Sequence, residues 1–172
     1  MNRCTLLAPV ALIGVGLTAA HAAPPVTLEL FSADEAAAWN TPGNAPKEAY
    51  RQRELREPGV PSCHAIPSAA VGAPQIKIVA PTLDKTLAAP LDIDLKFLPT
   101  DNAAIKPETF RVCYVGFLVM DITKRITDHV TVSAEGLHVA GAQLPSGHHH
   151  LVMMIADQQG AIGSRDAVFD IK

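Results

Sequence analysis

The stretch Leu91-Asp-Ile-Asp-Leu-Lys-Phe97, "LDIDLKF", decides how this chain is to be read. It alternates without a fault: Leu91, Ile93, Leu95 and Phe97 share one face, and Asp92, Asp94 and Lys96 share the other. A period of two over seven residues is the mark of a half-buried β-strand, because successive side chains in a strand point to opposite sides. The nearest thing to a carboxylate pair, Asp92 and Asp94, is explained by that outward alternation rather than by catalysis.

Working outward, "QIKIVAP" places Ile76 and Ile78 on one face, and "TFRVCYV" places Phe110, Val112 and Tyr114 opposite Arg111, Cys113 and Val115. "VTVSA", "GLHVAGAQL", "HHHLVMMIAD" and "AVFDIK" bring the expected strands to seven between Pro74 and Lys172. "DITKRITDH" lacks a clean period of two and predicts a turn of helix as the chain crosses over. Asp157, before a glycine-containing turn, is expected to cap it. Short strands at close spacing, with turn signals between them, predict an all-β antiparallel sandwich over residues 74–172.

The residues before Pro74 have a different texture. The chain opens "MNRCTLLAPVALIGVGLTAAHAAPP", with Arg3 ahead of an apolar run and Ala20-His21-Ala22 after it. That pattern predicts a secretory signal peptide over residues 1–22, cleaved before Ala23. Cys4 leaves with it. Residues 23–73 read as a proline-rich, partly helical extension without a core pattern of its own. Within it Ser32 and Glu35 have capping-box spacing, predicting a short helix from Ala33 to about Trp39. "APKEAYRQRELRE" predicts a second helix from Pro46 to Glu57, with Arg51, Arg53 and Arg56 on a solvated face. The alternating strands lie wholly after Ala73, so residues 74–172 are expected to fold without the extension.

Without residues 1–22, Arg3 is the one basic residue lost from 14, leaving 13 against 17 acidic side chains. Nothing there tracks a phosphate backbone, so nucleic acid is not an expected partner. The expected compartment is periplasmic or extracellular. Two cysteines remain, Cys63 and Cys113, and in an oxidising compartment they most simply form one disulfide. The rival reading is two free thiols that bind a metal.

The residues also carry a resemblance. "IVAPTLDKTLAAPLDIDLKF", "IKPETFRVCYV", "DITKRI", "LPSGHHHLVMMIADQQGAIGS" and the closing "AVFDI" resemble a bacterial exported immunoglobulin-like β-sandwich domain. The resemblance covers roughly residues 74–172 and implies a seven-stranded immunoglobulin-like sandwich. Members of that group are mostly of unassigned function, so it implies no catalytic residues. In size, export and fold class the chain is also similar to periplasmic copper-resistance sandwiches. The "DGH" expected late in that group is here "DQQG", which removes a principal ligand.

The histidines of "PSGHHHLVMMIADQQG" then need an assignment. Alternation sends His149, Leu151, Met153 and Ile155 to the core face. His149 is expected to be a partly buried ring bonded to a nearby carbonyl. His148 and His150 share the outer face, about 6.6 Å apart along the strand. Two such ligands make a weak site, and zinc or copper wants a third or fourth, for which His64 and Met154 are the candidates; His64, His148 and His150 are the candidate metal site. Val152 and Met154 also face outward, where a solvated sheet carries polar residues. Either the segment near Cys63 crosses this face, pinned to Cys113, or Val152 and Met154 form a partner surface.

Nucleophile, zinc-protease, thiol-redox and phosphate-loop motifs do not occur in the sequence. The sequence therefore predicts a non-catalytic exported module with no cofactor, acting on a protein partner or a cell-envelope component. A copper- or zinc-binding sandwich is the alternative.

Overall fold

The computed structural model describes residues 28–42, 60–67 and 70–172. The expected signal peptide, its cleavage site and the helix at 46–57 lie outside the described residues.

The described residues form seven strands and two helices. In chain order they are α1 (Ala33–Asn40), β1 (Gln75–Ala80), β2 (Leu91–Leu98), β3 (Ile105–Val115), β4 (Val119–Asp121), α2 (Thr123–Thr127), β5 (Gly136–Ala142), β6 (Gly147–Asp157) and β7 (Ile162–Ile171). They make two antiparallel sheets, ordered β1-β2-β5 and β4-β3-β6-β7. The core lies between them.

Alternation sets the facing. On β2, Leu91, Leu95 and Phe97 are buried, Ile93 packs against them, and Asp92 and Lys96 are exposed. On β3 and β6 the inner residues Val112 and Tyr114 stand opposite Met153 and Leu151. Burying such side chains contributes roughly 1.5–3 kcal/mol each, against the entropy of ordering the chain.

The count of seven strands matches the sequence reading, but the membership differs by one. "VTVSA" was expected to be a strand and joins neither sheet. Val130 and Val132 pack on the core, and the chain then turns at Ser133, whose Oγ accepts from the Glu135 and Gly136 amides. The strand missing from the sequence reading is β4, three residues paired with the end of β3. "DITKRITDH" supplies α2, as expected.

Two local devices close the sandwich. Asp157 Oδ1 accepts from the amides of Gln159 and Ala161, both at 2.9 Å, and so caps the β6–β7 turn. Leu87, in the β1–β2 connection, exchanges backbone bonds with Asp170 and Lys172 at the end of β7. Gly163 is required by close approach: a Cβ there would fall 1.7 Å from the Pro74 carbonyl oxygen. β7 and the entry to β1 meet backbone to backbone.

The extension departs from expectation. Over residues 28–42 it is part of the core rather than an appendage. Leu28, Leu30, Phe31, Ala36 and Trp39 are all buried in the main hydrophobic cluster. The Leu30 amide donates to the Gln143 carbonyl at 3.1 Å, and the Gln143 amide donates to that of Leu28 at 2.8 Å. The segment thus adds to the chain just beyond β5. α1 has the expected capping box: the Ser32 hydroxyl accepts from the Glu35 amide, and the Glu35 carboxylate accepts from the Ser32 amide. The correction has a simple physical source. "LELF" is too short for its period to register, yet three of its four side chains are buried.

Candidate functional site

The outer face of the four-stranded sheet carries most of the residues singled out from the sequence. Cys113 stands opposite Val152 in the β3–β6 register and, as alternation requires, points away from the main core. It is bonded to Cys63, across 50 residues of chain. Cys63, Cys113, Val152 and Met154 form a second buried cluster, edged by Val115, Val119 and Ile162. Val152 is 2% exposed and Met154 is fully buried. The reading of Val152 and Met154 as a partner surface is therefore corrected. The segment around Cys63 covers this stripe, which was the other arrangement the sequence allowed.

His148 and His150 lie further along the same face, and each meets a carboxylate on β7. His148 Nδ1 is 3.0 Å from Asp170 Oδ1, and His150 Nε2 is 2.7 Å from Asp166 Oδ1. His64 sits in the turn after Cys63, its amide donating to the Ser62 hydroxyl. Among the described residues no three His, Cys, Asp or Glu side chains stand close enough together to hold an ion. The metal site built from His64, His148 and His150 is corrected accordingly. Its two strand histidines are carboxylate-paired surface residues, and Cys63 and Cys113 are bonded to each other instead of presenting thiolates.

The inner face holds His149, placed there and bonded to a nearby carbonyl as alternation predicts, and around it a cluster that sequence reasoning missed. His149 is 2% exposed and sits in an aromatic cluster with Phe31, Trp39, Tyr114 and Phe169. Its Nε2 is 2.8 Å from the Pro145 carbonyl oxygen, and its Nδ1 is 3.4 Å from the Tyr114 hydroxyl. A carbonyl only accepts, so Nε2 carries the proton, and Nδ1 of the neutral ring accepts from Tyr114. The same hydroxyl accepts from the Asn40 side-chain amide at 3.0 Å. The hydrogen bonds run in one direction, from Asn40 through Tyr114 and His149 to Pro145. Burial pushes the His149 pKa below its ordinary value, and the Pro145 carbonyl works in the opposite sense.

A second tie holds the same segment. Arg125 on α2 donates to both carboxylate oxygens of Glu35, at 2.9 and 2.6 Å, and to the Leu30 carbonyl at 3.1 Å. Its guanidinium lies 5.5 Å from the centre of the Trp39 ring. The hydrogen bonds from Arg125 hold the Glu35 carboxyl down to about 2. The capping-box spacing was the one signal in the sequence that pointed to Glu35. Nothing in it pointed to Arg125.

The β3–β4 hairpin ends in Phe117, which is 61% exposed. The Leu118 amide next to it donates to the Trp39 carbonyl at 3.1 Å, so the tip rests on the end of α1. Among the described residues no helix is long and apolar enough to cross a membrane. No family model matches this chain, and no curated protein matches it.

Proposed function

We propose that this protein is a non-catalytic, exported interaction module built on an immunoglobulin-like sandwich. The strand orders β1-β2-β5 and β4-β3-β6-β7 support the immunoglobulin-like reading, since such folds pair a three-stranded with a four-stranded antiparallel sheet. The Cys63–Cys113 disulfide supports a destination outside the reducing cytoplasm. A signal peptide at residues 1–22 belongs to the same reading.

The observation that carries the interaction reading is Phe117. A phenylalanine 61% exposed at a hairpin tip, braced by a neighbouring helix, is an aromatic anchor offered to a partner. Loops at the ends of such sandwiches are where binding residues gather. A photo-reactive residue installed at Phe117 in the exported protein tests this, with the same residue at Val79 on the other sheet as the reference. A defined adduct from position 117 and none from 79 supports the reading. Equal labelling from both, or from neither, overturns it. Purification in metal-free buffer with elemental analysis and copper titration tests the alternative, since one tightly held ion would move the assignment to a metal-binding sandwich.

A further inference from the structure

The walls around His149 are not equivalent. Tyr114 and Phe169 stand on β3 and β7, strands that ladder with β6 on either side of it. Phe31 belongs to the 28–42 segment, which docks through its buried side chains and single bonds instead of a ladder: two to Gln143, one from Leu118 to Trp39, one from Asn40 to Tyr114, and the contacts of Arg125. Local openings release the element with the fewest ties first, leaving the laddered strands in place.

With the ring neutral, each link of the Asn40–Tyr114–His149–Pro145 relay joins one donor to one acceptor. A proton added at Nδ1 reverses one link. Tyr114 then faces two donors, Asn40 and His149, and its own hydroxyl hydrogen loses the acceptor it had. The charge also arrives in an aromatic enclosure. Tyr114 on β3 is the one titratable side chain hydrogen-bonded to the ring among the described residues. On β6, His148 and His150 point to the opposite face, where they meet Asp170 and Asp166 of β7. Across the cluster, Glu35 of α1 and Arg125 of α2 are bonded to each other, and Glu29 enters the segment nearby. None of these carboxylates hydrogen-bonds the ring.

We propose that His149 is a proton-operated latch: protonation of its ring releases residues 28–42 from the sandwich while both sheets stay formed. The ring takes a proton more readily when the segment is off than when it is docked. Docking is therefore fully supported above about pH 6.5 and is lost as the pH falls through the docked ring's lower value. Between those limits the released fraction rises about tenfold per pH unit. The Glu35–Arg125 tie survives this window, because that carboxyl titrates only near 2.

Trp39 is the single tryptophan in the chain and lies within the segment, so its emission reports docking in the full-length protein. The experiment follows Trp39 emission and the far-ultraviolet β signal together, from pH 8 to pH 5. The expected result is a red shift of Trp39 with an unchanged β signal, and no red shift in His149→Phe or His149→Gln. A flat wild-type emission, a β signal that falls together with it, or a red shift that persists in both variants overturns the latch. Should neither variant fold, the wild-type His149 imidazole resonance decides. A titration midpoint that coincides with the Trp39 transition supports the proposal, and one that differs overturns it.

Discussion

The side-chain amide of Asn40 donates to the Tyr114 hydroxyl at 3.0 Å, joining the last residue of α1 to a central strand 74 residues later. The bond lies where the extension meets the sandwich, and it makes the end of a short helix a partner of the core. Tyr114→Phe keeps the ring and its contacts with Phe31 and Trp39 but removes the hydroxyl. Asn40 keeps its second acceptor, the Ala36 carbonyl, whereas His149 Nδ1 loses its donor. The expected loss is about 1–2 kcal/mol, read as a lower urea midpoint with an unchanged slope.

Phe31 provides a sharper measure of the same junction. It is 1% exposed and touches Trp39, Tyr114 and His149. Phe31→Ala should cost about 3–5 kcal/mol, the range for emptying a buried aromatic site. Ile66→Ala, at a half-exposed position in the covering segment, should change stability by less than about 0.5 kcal/mol. Equal small effects at both sites would show that the segment adds little to the core. Deletion of residues 1–42 should likewise lower the melting temperature, a cost that the expectation of residues 74–172 folding without the extension did not include.

The contrast between these two parts shows where sequence reading reaches. β2 and β3 were legible because their side chains alternate over seven residues, and β6 because a long apolar run is bounded by turn signals. The same count placed Cys113 outward and His149 inward, and from it came the covered stripe. β4 was not legible: three residues carry no period, and Val119–Asp121 is a strand only because the end of β3 offers it a ladder. "VTVSA" misled in the opposite way, since its alternation is real but it joins no ladder. The docking of Leu30, Phe31 and Trp39 depends on what the sandwich leaves open at one end, a tertiary property that four or five residues cannot announce. The candidate metal site failed for a related reason. Spacing brought His148 and His150 to one face, but Asp166 and Asp170 reach them from a strand whose register the sequence does not print.

Glu35 and Arg125 give a pH dependence distinct from that of His149. The folded carboxyl titrates at about 2 instead of its ordinary 4.5. Its contribution to stability is therefore complete above about 4.5 and is lost as the pH falls toward 2. Both side chains are 39% exposed, so solvent screening limits the pair to about 1 kcal/mol or less. Glu35→Gln should lower stability slightly at pH 7, and its difference from the wild type should shrink steadily as the pH falls from about 4.5 to about 2. A difference that persists unchanged at pH 2 would show that the carboxylate charge is not its source.

The disulfide ties the remaining piece of the extension to the outer face. Cys63 and Cys113 close a loop of 50 residues, and both are buried with Val152 and Met154. In the chain-entropy model a loop of that length stabilises by roughly 4 kcal/mol, chiefly by restricting the unfolded chain. The Cys63→Ala, Cys113→Ala double variant removes the bond without placing a hydroxyl in the buried cluster. Two effects should follow together. The melting temperature falls, and the stripe of Val152 and Met154, no longer held under its cover, binds an apolar dye that the wild type leaves free. Thiol counting on the unfolded wild type should find both cysteines oxidised. If the double variant melts with the wild type and binds no dye, packing alone holds the segment in place, and the bond is incidental to the cover.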